Sequence, residues 1–199
     1  MKKITSEFHE NICRFHNENI HLPTRSIYFG GDVNSTDEVD SVSVASLIKN
    51  LQILEHKEIA PISLILNSCG GSWEDGIAVY DMIRTLQSKV SILGAGKLYS
   101  MGSILFQAGD ERAIFPNTAM MIHDGSEGYV GSPKSFEAWA EFSKSTRKTM
   151  YRIYYDQMKK KKKRITLAQI EEMCSHDKIF HAKDMVEYGL ADKIIEYIK

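Results

Sequence analysis

Gly94-Ala95-Gly96-Lys97-Leu98-Tyr99-Ser100-Met101-Gly102-Ser103-Ile104-Leu105 is the stretch on which the reading of this chain turns. It follows an apolar, strand-like run from Val90 to Leu93 and leads into a second apolar run from Ile104 to Ala108. Small residues between two buried segments predict a tight strand-to-helix turn, where little side-chain bulk is tolerated. Ser100 then falls at or near the helix start, where unpaired backbone N–H groups and the positive end of the dipole favour negative charge. A serine nucleophile gains from that place, because its attack creates an oxyanion. Serine is equally at home there as a plain N-cap, so the flanking sequence has to decide between the two.

Composition sets the frame. The chain has 199 residues, enough for one medium domain with a substantial core. A hydrophobic fraction of 43% and a charged fraction of 26% are those of a soluble globular protein. A net charge of -1 gives no push toward nucleic acid or an anionic membrane. Cys13, Cys69 and Cys174 are widely spaced and odd in number, which suits free thiols in a reducing compartment better than disulfides or a zinc site. The start, Met1-Lys2-Lys3-Ile4-Thr5-Ser6-Glu7, lacks the apolar core of a secretory signal, and no run approaches the ~20 apolar residues that span a bilayer. The expectation is a cytoplasmic protein with no membrane and no nucleic-acid partner.

Working outward, residues 1–24 read as an N-terminal segment apart from the main core. Ile4, Phe8, Ile12 and Phe15 recur at roughly helical spacing, and Leu22-Pro23 closes the segment. From residue 25 onward a single domain is expected. Arg25 to Phe29 reads as a strand stopped by Gly30-Gly31, and Val44, Leu47, Ile48, Leu51 and Leu54 form the stripe of a helix. Pro61 to Leu66 is a buried strand, broken by Asn67-Ser68-Cys69-Gly70-Gly71, after which Ser72 caps a helix to about Leu86. Ala113 to Phe115 and Ala119 to Ile122 are two more short strands. Strand and helix alternate, which predicts βα units around a mainly parallel sheet. Ser132-Pro133 then opens a long helix, about 132–160, whose polar middle suggests that it projects. The cationic run Lys159 to Arg164 reads as a solvated helix end rather than a nucleic-acid patch. Thr166 to Gln169 has the form of a capping box, and Gly189 stops a helix over 182–188.

Acyl transfer by serine needs an imidazole base, a carboxylate to orient it, and N–H donors for the oxyanion. His123 ends an apolar strand and precedes the Asp124-Gly125 turn, a good place for a base. Spacing alone selects neither His123 among the seven histidines nor Asp177 over Asp110, Asp124, Asp184 or Asp192. Asp124 is disfavoured, since adjacent residues on extended chain point to opposite faces.

From about Arg25 onward the chain resembles the proteolytic subunit of the Clp ATP-dependent protease. Leu66-Asn67-Ser68-Cys69-Gly70-Gly71 resembles that family's Ile-Asn-Ser-Pro-Gly-Gly, and Gly76 to Ile83 its Gly-x-x-x-Tyr-Asp-x-Met/Ile helix. Ser100-Met101-Gly102 resembles its nucleophile block and Met121-Ile122-His123 its base block. Asp177 to Ala182 and Glu187 to Asp192 resemble its Asp-Arg-Phe-Met-Ser-Ala and Glu-Tyr-Gly-Leu-Ile-Asp. The resemblance implies an α/β fold, a crotonase-like βαβ superhelix with a protruding handle helix. It implies a serine endopeptidase with Ser100 as nucleophile, His123 as base and acid, Asp177 as the orienting carboxylate, and the N–H groups of Gly71 and Met101 as oxyanion hole. It implies a homo-oligomer of heptameric rings stacked into a tetradecamer, degrading unfolded polypeptides or peptides fed by a Clp-type AAA+ ATPase. No cofactor is expected, ATP being consumed only by that partner; the sequence has no Gly-x-x-x-x-Gly-Lys-Ser/Thr loop.

Departures are specific. Cys69 stands for the family's proline, Asp124-Gly125 for Gln-Pro, and Ser175-His176 for a Glu-Arg pair associated with ring-to-ring contacts. The first 24 residues do not resemble the usual axial segment, a divergence similar to that of Clp-like peptidases encoded by phages. Two alternatives share the fold: a peptidase-inactive ring subunit, and a crotonase-type acyl-CoA enzyme using oxyanion donors without a serine triad.

Overall fold

Parallel pairing dominates the sheet, as the alternation of strands and helices predicts. The computed structural model describes residues 6–31 and 37–197. In chain order the elements are α1 (Ser6–Glu18), β1 (Ile20–His21), β2 (Ser26–Phe29), β3 (Glu38–Val39), α2 (Ser41–Lys57), β4 (Ile62–Ser68), β5 (Gly70–Gly71) and α3 (Trp73–Thr85). There follow β6 (Val90–Tyr99), α4 (Met101–Gln107), β7 (Glu111–Ile114), β8 (Ala119–Ile122), α5 (Pro133–Lys161), α6 (Leu167–Cys174), β9 (Lys178–His181), α7 (Ala182–Tyr188) and β10 (Lys193–Ile194). The main sheet runs β1-β2-β4-β6-β7-β10, with β8 and then β9 branching from β6. Only β1–β2 and β8–β9 are antiparallel among its described pairs.

The branch at β6 is where the structure departs from the turn expected at Gly94-Ala95-Gly96. The strand does not stop there; it continues to Tyr99. Its first half pairs with β7, Ser91 to Gly94 against Glu111 to Ile114, and its second half with β8, Lys97 to Tyr99 against Ala119 to Met121. Against β4 the register slips between Leu66↔Gly94 and Ser68↔Leu98, so β6 carries extra residues at the small-residue segment. Small side chains therefore let one strand bend and serve two neighbours. The tight turn falls later, at Ser100 alone.

Local chemistry explains the helix ends. Asp40 accepts from the Val42 and Ser43 N–H groups at 3.0 and 2.8 Å and opens α2. Ser72 accepts from Asp75 N–H at 3.2 Å to open α3, and Thr166 and Gln169 close the predicted capping box at α6. Such caps contribute about 1 kcal/mol each. Gly189 ends α7 in the left-handed conformation, φ 78°, which a side chain resists. The helix α4 is buried along its whole length, wedged between the sheet and α5.

α5 is 29 residues long, roughly 44 Å at ~1.5 Å per residue. Its C-terminal half packs on the body through Met150, Tyr151, Ile153, Tyr154 and Met158, while Phe136, Trp139 and Phe142 in its N-terminal half are exposed. The exposed half also carries an aromatic cluster among its polar residues: Trp139 packs edge-on against Phe142 at 5.6 Å and beside Tyr129 at 5.7 Å.

The N-terminal boundary also differs from the expectation at residue 24. Ile20 is buried in the core and pairs with Ile27, so the sheet begins inside that segment. α1 itself contributes no buried residue, and Phe8, Ile12 and Phe15 are exposed. Ile4 of the expected stripe lies outside the described residues.

Candidate active site

β6, β8 and β9 deliver three side chains to one edge of the sheet. Ser100 follows the C-terminal end of β6, and His123 follows that of the parallel strand β8. β9 runs antiparallel to β8 with Ile122 opposite Lys178, which puts Asp177 opposite His123. Ser100 N–H donates to Met121 O at 2.9 Å, tying the turn to the strand that carries the histidine. His123 Nε2 lies 2.9 Å from Ser100 Oγ, and His123 Nδ1 lies 3.0 Å from Asp177 Oδ1. A hydroxyl, an imidazole and a carboxylate so linked can pass a proton from the hydroxyl to the ring while the carboxylate holds the ring's orientation.

Ser100 is not an ordinary N-cap. Its backbone sits at φ 50°, ψ -123°, and its hydroxyl makes no cap hydrogen bond. The strained turn aims Oγ at His123 instead of back at its own helix. Met101 N–H is the first donor of α4 and has no intrahelical acceptor. Gly70 brings β5 against that helix start, since a Cβ there would lie 2.6 Å from Ser100 Cβ and 3.1 Å from Met101 N. Val39 O accepts from Ser72 N–H at 2.8 Å. Successive N–H groups of an extended chain point to opposite sides, so Gly71 N–H faces away from β3, beside a cleft that Gly71 lines.

Cleft and dyad adjoin. A cavity of about 980 Å³ runs from Ser100 and His123 between the loop after β8 and the N-terminal half of α5. Trp73, Ile104, Tyr129, Trp139 and Met150 give it apolar walls, and Glu74, Lys144 and Arg147 give it charge.

The other acids left open by sequence have different partners. Asp110 accepts from Val90 N–H at 2.8 Å, and Asp184 accepts from His181 N–H at 3.1 Å at the start of α7. Asp192 pairs with the buried Arg112 at 2.7 Å, closing the C-terminal segment onto β7. Asp124 accepts from Tyr151 OH at 2.7 Å. Of the other histidines, His21 pairs with Thr24 and His176 with Ser175.

Sequence reasoning overlooked the supports beneath the site. Asp37 O accepts from Ser68 Oγ at 2.7 Å and from Cys69 N–H at 3.3 Å, and the Asp37 carboxylate pairs with Lys97. The lysine hydrogen bond holds the Asp37 carboxyl below its ordinary range. Burial pushes the Cys69 thiol up, and the Cys174 thiol up to about 12. No spacing signal marks Asp37, Ser103, Tyr151 or Tyr154, because each acts across distant segments. Among the described residues no group of three His, Cys, Asp or Glu side chains is arranged to hold a metal, and no helix is long and apolar enough to cross a membrane.

Comparison with known proteins agrees with this architecture. A family model described as Clp protease matches residues 18–197. The chain is 33% identical over 166 residues to the ATP-dependent Clp protease proteolytic subunit 1 of Streptomyces avermitilis, covering 80% of this chain and 72% of that relative. It is 30% identical over 161 residues to the ATP-dependent Clp protease proteolytic subunit of Deinococcus radiodurans, covering 79% and 76%.

Proposed function

The chain belongs to the Clp protease family and is a serine endopeptidase; on that footing we propose that it cleaves peptide bonds with Ser100, His123 and Asp177. The observation that carries the assignment is the continuous contact from Ser100 Oγ through His123 to Asp177, at 2.9 and 3.0 Å. In the proposed reaction His123 Nε2 takes the proton as Ser100 Oγ attacks the carbonyl carbon. The N–H groups of Gly71 and Met101 receive the oxyanion, where a lost donor typically costs about 10²-fold or more in kcat. The protonated ring, steadied by Asp177, then gives its proton to the leaving amine. Water repeats the sequence on the acyl-enzyme and frees Ser100.

The substrate class we assign is unfolded polypeptide or short peptides, supported by a cleft of about 980 Å³ beside Ser100 with apolar walls at Trp73, Ile104, Tyr129, Trp139 and Met150. Family members act in oligomeric rings with Clp ATPases, and we assign this chain the same arrangement: a heptameric ring, stacked into a tetradecamer, fed by a Clp-type AAA+ partner and needing no cofactor of its own. The exposed stripe Phe8, Ile12 and Phe15 on α1 is apolar surface of the kind a ring neighbour or docked partner covers. α1 is assigned to the axial face and the chain from Ile20 onward to a single peptidase domain in the cytoplasm.

Fluorophosphonate labelling tests the assignment. The probe should modify Ser100, and Ser100→Ala should lose both labelling and peptide cleavage; cleavage retained in that variant removes the proposal. Native mass spectrometry of the untagged protein reads the subunit count, and a monomer would remove the chamber.

A further inference from the structure

We propose that Tyr151 is a positioning residue for the reaction, acting through Asp124 to hold His123 and Asp177 in register with Ser100. The inference rests on the catalytic roles proposed above and adds a residue that none of the comparisons singles out. Tyr151 OH donates to Asp124 Oδ1 at 2.7 Å. The backbone of the same aspartate is engaged as well: Asp124 N–H donates to Cys174 O at 2.7 Å. Cys174 is the last residue of α6, three positions before Asp177. One residue, adjacent to the base, therefore binds the handle helix by its side chain and the segment leading to the orienting carboxylate by its backbone.

The surroundings show why such a tie matters. Beyond Ile122 the chain has no regular structure until α5 begins at Pro133. Gly125 has φ 78° with open space where a Cβ would be, so packing does not hold the turn. Asp177 is itself mostly exposed, 71% by side chain, and its position depends on the chain that carries it. Tyr151, in contrast, is buried on the part of α5 that packs on the body. Burial, and next the hydrogen bond to Asp124, keep its phenol protonated well above the ordinary range, so it remains a donor. A buried donor thus meets a stretch without regular structure at a residue joined to both halves of the His–Asp pair. Displacements of about 1 Å at a reacting group can cost 10²-fold in rate, so a modest slackening is readable.

Tyr151→Phe deletes only the hydroxyl, and Asp124→Ala deletes its acceptor from an exposed loop. In the assembled protein, each is expected to lower kcat for a fluorogenic peptide roughly tenfold with KM within about twofold. The rate of fluorophosphonate labelling should fall in the same proportion, with the subunit count unchanged and thermal unfolding lowered by only a few degrees. The double variant should be no slower than either single one, because both remove the same bond. Asp124→Asn, which keeps an oxygen for the phenol, should recover most of the activity lost in Asp124→Ala. An active, Ser100-dependent enzyme with full kcat in Tyr151→Phe, a loss confined to KM, or independent losses in the double variant would each overturn the proposal. Wild-type cleavage that survives Ser100→Ala overturns the catalytic reading, and this one with it.

Discussion

Tyr154 and Ser103, 51 residues apart in the chain, meet 2.6 Å apart in the buried contact between α5 and α4. Ser103 Oγ also lies 2.6 Å from Ser100 O and gives it the hydroxyl's one proton. Tyr154 must then be the donor of the pair. Helix α5 is in this way bonded, through one serine, to the backbone of Ser100.

That direction of donation predicts an asymmetry between the two deletions. Ser103→Ala strands a fully buried phenol without its acceptor, at a cost of about 1–3 kcal/mol, whereas Tyr154→Phe leaves Ser103 still bonded to Ser100 O and costs about 1 kcal/mol. The double variant removes the stranded group and should be more stable than Ser103→Ala alone. Urea unfolding at a fixed protein concentration measures all three. A larger loss in Tyr154→Phe than in Ser103→Ala would contradict the assigned donor.

The backbone of Ser100 makes a second, counterintuitive prediction. In ordinary strand or helix positions glycine is less favourable than alanine by roughly 0.5–1 kcal/mol. At φ 50° and ψ -123° the order should invert, since a side chain there is strained by about 1–3 kcal/mol and glycine is not. Both Ser100→Gly and Ser100→Ala lose the hydroxyl, so both should be inactive. Of the two, the glycine variant should unfold at the higher denaturant concentration. Equal midpoints would show that the turn stores no strain.

These two features mark the boundary of what sequence could say. The strand–helix order and the caps at Ser72, Ser132 and Thr166 are legible because each depends on residues within a few positions. The end of β6 was misjudged because Gly94 and Gly96 look like a stop, yet they bend a strand that two others share. β9 went unread for a related reason: Lys178 to His181 is extended only because β8 lies beside it. The convergence of residues 100, 123 and 177 is a property of that same β6–β8–β9 register. Spacing left five aspartates as candidates, and it is the β8–β9 pairing that sets Asp177 beside His123.

Gly70 should tolerate no side chain. Its φ of 103° is strained for any other residue, and an added Cβ would stand 2.6 Å from Ser100 Cβ and 2.9 Å from Tyr99 O. Neither neighbour is the loose end of a flexible chain, so β5 or the start of α4 must shift. Gly70→Ala is expected to lower kcat at least 10²-fold, through misplacement of Ser100 and of the Met101 N–H in the roles proposed for them. Peptide hydrolysis and fluorophosphonate labelling should fall together. A variant that labels normally but cleaves slowly would place the damage in the substrate cleft instead.

Acid should loosen the same segment through Asp37. The Lys97 hydrogen bond, the largest influence, holds the Asp37 carboxyl below its ordinary 3.8, and Asp37 in turn raises the Lys97 ammonium above 10.5. For the carboxyl, a folded-state value below the unfolded one means stabilisation that is full above 3.8 and lost as pH falls through the folded value. For the ammonium, the stabilisation is full below 10.5 and is lost at still higher pH. The pair therefore supports folding between those limits, and Asp37 O carries Ser68 and Cys69, the residues leading to Gly70 and Gly71. Lys97→Met should be less stable than wild type near neutrality, with the difference shrinking as pH falls below 3.8 and Asp37 takes up its proton. Asp40 and Glu55, whose carboxyls are also held low by their own hydrogen bonds, titrate alike in both proteins and drop out of the difference. A difference that stays constant through that fall in pH would show that Lys97 stabilises by packing its alkyl stem and not by its charge on Asp37.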